Sequence, residues 1–134
     1  MAQLTLPRDT PQYGAHALPD FLLDFPVDAS SQVFQGGIVA INAAGHAVPA
    51  NATAGVVVGL ATASKKGGAH VGVRQGCFHM ANASGADRVT AGMVGRAAFI
   101  VDDQTVAAAG TVKAGTVYGV DDSGVWVQFL LSAP

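Results

Sequence analysis

Charged residues are scarce in this sequence. Only 12% of the 134 residues are charged and the formal net charge is −2, whereas about a quarter of the residues are charged in an average domain. The longest basic run is the pair Lys65–Lys66, and a nucleic-acid-binding domain usually carries a basic patch or stripe. We therefore expect no nucleic-acid partner. We also expect that part of the surface consists of small residues or is covered by partners.

Long apolar runs and cysteines are also missing. The longest apolar run, residues 56–63, is far shorter than the roughly 20 residues that a membrane helix needs. Residues 1–20 lack the basic start and continuous apolar stretch of a signal peptide. The single cysteine, Cys77, cannot form an internal disulfide, which suits a reducing cytoplasm. These features predict a protein that is made in the cytoplasm and has no membrane partner.

The chain divides into an arm and a domain. Residues 1–20 contain Pro7, Pro11, Pro19 and Gly14, and proline fixes φ and removes a hydrogen-bond donor. These residues are predicted to form an extended N-terminal arm, and residues 21–134 a single β domain. The arm also carries apolar side chains that are unusual for a free polar tail, and we expect them to be assembly contacts: Leu4, Leu6, Tyr13 and Leu18.

Hydrophobic residues recur with a period of two from residue 21 onward, which is typical of strands. Pro26 places the first strand at a sheet edge, and the β-branched run 56–63 indicates a strand buried on both faces. Only residues 88–96 are helix-like. The fold class is therefore all-β, a compact β-sandwich or small barrel of short antiparallel strands. The predicted strands are residues 21–27, 38–41, 56–63, 71–78, 98–101, 105–107, 116–120 and 125–130.

The last predicted hairpin has the clearest pattern. Residues 121–124 form its loop, with Gly124 where a positive φ is expected. In the strand that follows, one face carries Val125, Val127 and Phe129, and the other carries Trp126, Gln128 and Leu130. We expect Trp126, as a large aromatic in this strand, to be largely buried or to lie at a subunit contact.

Few residues are candidates for chemistry. Cys77 and His79 fall on the same side of a strand, as a thiolate–imidazole pair would require. No third residue that could orient the histidine stands at a recognisable spacing, so Cys77 is interpreted as a small buried hydrophobe. The pairs Asp102–Asp103 and Asp121–Asp122 could bind a cation, yet aspartate is common in hairpin turns because it bonds nearby backbone amides. We expect no catalytic residue, no cofactor and no metal.

Several segments, in this order, resemble head decoration (capsid cement) proteins of tailed phages and prophages. The matching residues are 33–37 (VFQGG), 39–49 (VAINAAGHAVP), 58–61 (VGLA), 71–76 (VGVRQG), 101–107 (VDDQTVA) and 114–127 (AGTVYGVDDSGVWV). The arm and residues 64–70 do not contribute to the resemblance.

The resemblance implies a structural protein of the virion and not an enzyme. Such a protein is made in the bacterial host, binds the outer surface of the phage head through the major capsid protein, and is often a homotrimer. It stabilises contacts between capsid subunits. The alternative is a receptor-binding or tail-tip β module, with loops 64–70 and 82–87 as its contact surface.

Overall fold

A computed structural model describes residues 22–131. Short β-strands joined by turns form nearly all of the regular structure, so the all-β prediction is confirmed. The structure has a 3₁₀ turn at Ala91–Met93, within the helix-like stretch 88–96, and another at Gly85–Asp87, just before it. No helix among the described residues is long and apolar enough to cross a membrane. The strands are β1 (Leu22–Pro26), β2 (Gln32–Val33), β3 (Ile38–Ile41), β4 (Ala47–Pro49), β5 (Val56–Ala61), β6 (Lys65–Lys66), β7 (His70–Arg74), β8 (Gly76–Asn82), β9 (Ala97–Ile100), β10 (Thr105–Ala107), β11 (Lys113–Asp121) and β12 (Gly124–Phe129).

The first sheet has five antiparallel strands in the order β1-β7-β5-β3-β4. As Pro26 predicts, β1 lies at an edge. Immediately after β1 the chain turns toward the opposite edge, where Val27 forms a parallel bridge with Ala47 of β4. The Asp28 amide donates to the Ala47 carbonyl at 2.9 Å, so the sheet curls until its two edges meet.

The second sheet is a closed barrel in the order β10-β8-β12-β11-β9. Its neighbours are antiparallel except β10 and β8, which are parallel and share only two residue pairs. The hairpins β9–β10 and β11–β12 contain the two Asp-Asp turns, as the sequence predicts. β2 and β6 form a separate two-stranded ribbon.

Strands β3 and β5 separate two hydrophobic cores. In β3, Ile38 and Ala40 pack into the core shared with the barrel, and Val39 faces the core inside the first sheet. In β5, Leu60 packs into the core shared with the barrel, and Val58 faces the core inside the first sheet. The predicted burial of β5 on both faces is thus confirmed for residues 57–61, because a core lies on each side of it.

Several local predictions from the sequence differ from the structure. The short strands β2 and β6 are not among the predicted strands, and the strand predicted at 116–120 extends over residues 113–121. The strand expected at 71–78 is divided: β7 belongs to the first sheet and β8 to the barrel, with Gln75 between them. Gly124 does not have a positive φ. It is required instead for close packing, since a Cβ there would lie 2.3 Å from the Met80 carbonyl oxygen.

Candidate functional site

The proposed assembly contacts Leu4, Leu6, Tyr13 and Leu18 lie outside the described residues. Within residues 22–131, the candidates for chemistry gather on the outer face of the barrel, around the β11–β12 turn. His79 of β8 projects there beside Trp126 of β12, because these two residues face each other across the strand pair. Asp121 and Ser123 approach from the turn.

The Asp121 carboxylate contacts each of the other side chains in this cluster. Its Oδ1 accepts hydrogen bonds from the amides of Ser123 and Gly124, both at 2.9 Å, and from the Ser123 hydroxyl at 2.8 Å. His79 Nε2 lies 3.2 Å from the same oxygen, while the indole N–H of Trp126 donates to Oδ2 at 3.2 Å. The Ser123 hydroxyl, followed by His79 and the Ser123 amide, lowers the pKa of Asp121 well below its usual value.

The aspartate, histidine and serine are not arranged as a catalytic triad. In a triad the imidazole stands between the other two groups and uses a different ring nitrogen for each. Here Asp121 Oδ1 and Ser123 Oγ approach the same His79 nitrogen, at 3.2 and 3.4 Å. The serine hydroxyl donates directly to the carboxylate. These contacts stabilise the turn, and they do not activate Ser123 as a nucleophile.

The Asp-rich turns have the geometry expected of turn-stabilising carboxylates. Asp102 Oδ1 accepts a hydrogen bond at 2.9 Å from the amide of Gln104, two residues later. Asp121 Oδ1 accepts the equivalent bond from the amide of Ser123. No group of three or more histidine, cysteine, aspartate or glutamate side chains that could hold a metal ion occurs within residues 22–131. The described part of the chain therefore does not join Asp102–Asp103 and Asp121–Asp122 into a cation site.

The expectation of a buried Cys77 is wrong. Cys77 is exposed on β8, on the same outer face as His79, because the buried positions of this strand are those that point into the barrel. The shared face that the sequence indicates is confirmed. Desolvation by its partial burial raises the pKa of the Cys77 thiol, which lowers its thiolate fraction and is opposite to what nucleophilic catalysis requires.

The expectation that Trp126 is largely buried is also wrong. Its exposed fraction is 42%, whereas Phe129 of the same strand is fully buried. The His79 ring packs edge-on against the indole, with 5.0 Å between the ring centroids. Trp126 is thus a fixed, partly exposed aromatic on the barrel surface, and a role at a subunit contact stays a prediction.

A second polar cluster lies where the first sheet closes. Asp28 Oδ1 accepts from the Asn42 side-chain amide at 3.2 Å and lies 3.5 Å from His46 Nδ1. The hydroxyl and amide of Ser30 donate to Oδ2. These bonds, the Ser30 hydroxyl first, lower the pKa of Asp28. Sequence reasoning missed this cluster because its members are distant in sequence and meet only when β1 and β4 come together.

Exposed apolar side chains are the remaining candidate contacts. Val56 and Leu130 line one groove between β5 and β11, and Leu131 follows directly as another exposed residue. These three residues are called the C-terminal apolar strip below. The other large exposed hydrophobic residues in the described part of the chain are Phe34, Val94, Val101, Tyr118 and Trp126.

Comparisons of the chain with protein-family models, with curated proteins and with solved structures find no match.

Proposed function

We propose that the chain is a head decoration, or cement, protein of a tailed phage. It binds the outer surface of the shell through the major capsid protein and stabilises contacts between capsid subunits. It forms a homo-oligomer, a trimer by the family resemblance, and catalyses no reaction. Its place is the exterior of the virion.

The C-terminal apolar strip is the observation that carries this proposal. Leu130 and Leu131 are both more than half exposed, and Leu130 lines the same groove as Val56. Apolar side chains grouped on the surface of a small domain mark an interaction site more often than isolated ones do. The low charge fraction of the chain agrees with a surface that is partly covered in an assembly.

The placement of the resembling segments also supports the proposal. Residues 33–37 and 39–49 cover the end of β2, most of β3 and all of β4 with their turns, and residues 114–127 cover most of the β11–β12 hairpin. The resemblance therefore extends over both sheets and includes the turns that set their geometry. Because a cement protein acts through many repeated contacts, modest affinity at each copy is sufficient when several sites bind together.

Co-sedimentation tests the proposal directly. The purified chain is mixed with expanded capsid shells of the phage or prophage that encodes it, and in parallel with host cells. Saturable binding to the shells is expected, with light scattering of the free protein giving its oligomer number. Binding to cells and not to shells would favour the receptor-binding module and overturn the proposal.

A matched pair of variants tests the C-terminal apolar strip. Leu130→Asp places a charge within the strip, and Val94→Asp places the same charge at an equally exposed valine beside the Ala91–Met93 turn. We expect weaker shell binding for Leu130→Asp and wild-type binding for Val94→Asp, with both proteins folded. Equal binding by the two variants would remove the strip from the contact surface.

A further inference from the structure

Strand β8 has an open backbone edge. On one side it pairs with β12 along residues 76–80. On its other side, the described residues provide a partner only near the far end, where β10 pairs with Ala81 and Asn82. Among residues 22–131, the barrel is thus closed at one end of β8, and these residues place no strand beside the first part of β8 on that side.

The direction of the free groups follows from the alternation of a strand. The amides of Ala81 and Ala83 point toward the β10 side, where they donate to the carbonyls of Gln104 and Val106. In a strand, alternate residues direct their N–H and C=O groups to the same side. Cys77 and His79 therefore present their N–H and C=O groups along the open edge.

A groove with apolar and polar walls accompanies this edge. Its apolar wall is formed by Phe78 of β8 and by Leu60 and Ala61 of β5. Its other lining residues are Gln35, Gly36, Thr62 and Arg74, and the Arg74 guanidinium lies 5.2 Å from the centroid of the Phe78 ring. Proteins usually protect an open strand with charged residues or proline, yet residues 76–80 contain neither. The edge offers backbone hydrogen bonds, a groove with an apolar wall on its inner face and the exposed Cys77 and His79 on its outer face.

We propose that this edge receives residues 2–6 of a neighbouring copy of the chain as an added strand. The sequence Ala-Gln-Leu-Thr-Leu is free of proline and alternates apolar with polar residues, the pattern of a half-buried strand. Leu4 and Leu6 would cover the groove beside Phe78, and Gln3 and Thr5 would lie on the outer face. The inference rests on the proposed function, because it gives the N-terminal arm an acceptor on a sister subunit.

The prolines between the segment and the domain favour a neighbouring copy as the donor. β1 begins at Leu22 opposite Arg74, only two residues before Gly76, so the chain's own arm starts beside its own edge. Residues 7–21 include Pro7, Pro11 and Pro19, and a proline-rich linker extends about 3 Å per residue. Such a spacer is long enough for residues 2–6 to reach the β8 edge of a neighbouring copy, and its prolines disfavour a tight return to the edge of the same chain.

The single cysteine on the edge permits a direct test in the isolated full-length protein. Thr5→Cys and Gln3→Cys each place a thiol on the outer face of the added strand, where one of them lies within disulfide range of Cys77. Thr10→Cys is the matched control, since it places the same thiol in the spacer. We expect mild oxidation to join one of the first two thiols to Cys77 of another chain about tenfold faster than in the control. Adding Cys77→Ser should abolish the product.

Each other outcome overturns the inference. Peptide mapping of a mixture of isotopically labelled and unlabelled chains distinguishes a disulfide between chains from one within a chain. A disulfide within one chain would show that the arm folds back on its own edge. Rates no higher than that of Thr10→Cys would show that the edge does not receive residues 2–6. Shell binding is measured separately, so a failure here with intact shell binding leaves the proposed function standing.

Discussion

Trp126 donates its indole N–H to Asp121 Oδ2 at 3.2 Å, across the β11–β12 turn. This bond and the edge-on contact with His79 hold the only tryptophan of the chain on the outer face of the barrel. A large aromatic residue that is fixed in place and partly exposed loses little side-chain entropy when a partner covers it. The relationship therefore explains how Trp126 can be exposed without being mobile.

Replacement of Trp126 should have a small effect on the stability of the domain. We expect Trp126→Ala to lower the free energy of unfolding by about 1 kcal/mol. Phe129→Ala, in the same strand but at a fully buried position, should cost about 3–5 kcal/mol. Chemical denaturation of the two variants measures the difference. Equal losses would mean that Trp126 belongs to the core.

The sequence predicts the two faces of β12 but not which face is inside. Val125, Val127 and Phe129 form one set, and Trp126, Gln128 and Leu130 form the other, and each set includes a large aromatic. Periodicity identifies the sets, since successive side chains of a strand alternate. The choice of the buried set depends on the neighbouring strands, which no local pattern reveals.

The stability of the β11–β12 turn should depend on pH through Asp121. Because hydrogen bonds lower its pKa in the folded protein from the usual 3.8, the unfolded chain binds more protons at acidic pH. The stabilisation is fully present above about pH 5 and is lost as the pH falls toward the folded-state pKa. Thermal melts across acidic pH should show this loss in the wild type.

Asp121→Asn and Asp122→Asn form a matched pair for this prediction. Asp121→Asn removes the charge that the turn stabilises, so the melting temperature at neutral pH should fall and its acid dependence should become shallower. Asp122→Asn changes the adjacent carboxylate, for which the described residues provide no side-chain hydrogen bond. That variant should keep the wild-type profile. Identical profiles for the two variants would contradict the role assigned to Asp121.

Gly124 should tolerate no side chain. A Cβ at this position would lie 2.3 Å from the Met80 carbonyl oxygen and 2.7 Å from Cε1 of His79. Gly124→Ala must move backbone in β8 or β12, which we expect to cost about 1–3 kcal/mol. Gly92→Ala is the control, because nothing lies within 4 Å of its Cβ position. Denaturant midpoints that fall equally in both variants would argue against this steric explanation.

Much of the fold is predictable because strand periodicity and turn glycines are local signals. The predicted strands 38–41 and 105–107 have their observed bounds, and 125–130 differs from β12 by one residue at each end. The break at Gln75 escapes prediction because residues 71–78 have the length of a single strand and contain no proline, although the apolar positions shift from Val71 and Val73 to Phe78 and Met80 across it. The bridge between Val27 and Ala47 cannot be predicted from local sequence for another reason. It depends on how the five strands of the first sheet curl together.

Asn82 should stabilise the loop that follows β8. Its side-chain amide donates to the Val89 carbonyl and its Oδ1 accepts from the Val89 amide, both at 2.9 Å. Val89 is fully buried, so losing these partners leaves its backbone groups unsatisfied. We expect Asn82→Ala to cost about 1–3 kcal/mol. Asn51→Ala, at an exposed turn, should cost less, and the reverse order in denaturation would refute the assignment.

Removal of the N-terminal arm should separate folding from assembly. Residues from Leu23 onward build two hydrophobic cores, and the first sheet is closed by the bridge between Val27 and Ala47. A chain without residues 2–18 should therefore melt within a few degrees of the full-length protein, a change of about 1 kcal/mol or less. Its binding to capsid shells and to its sister subunits should weaken, because Leu4, Leu6, Tyr13 and Leu18 are missing. Melting curves, light scattering and co-sedimentation measure the three quantities. If the truncated chain unfolds, the arm belongs to the domain, and if it assembles as the full chain does, the arm has no assembly role.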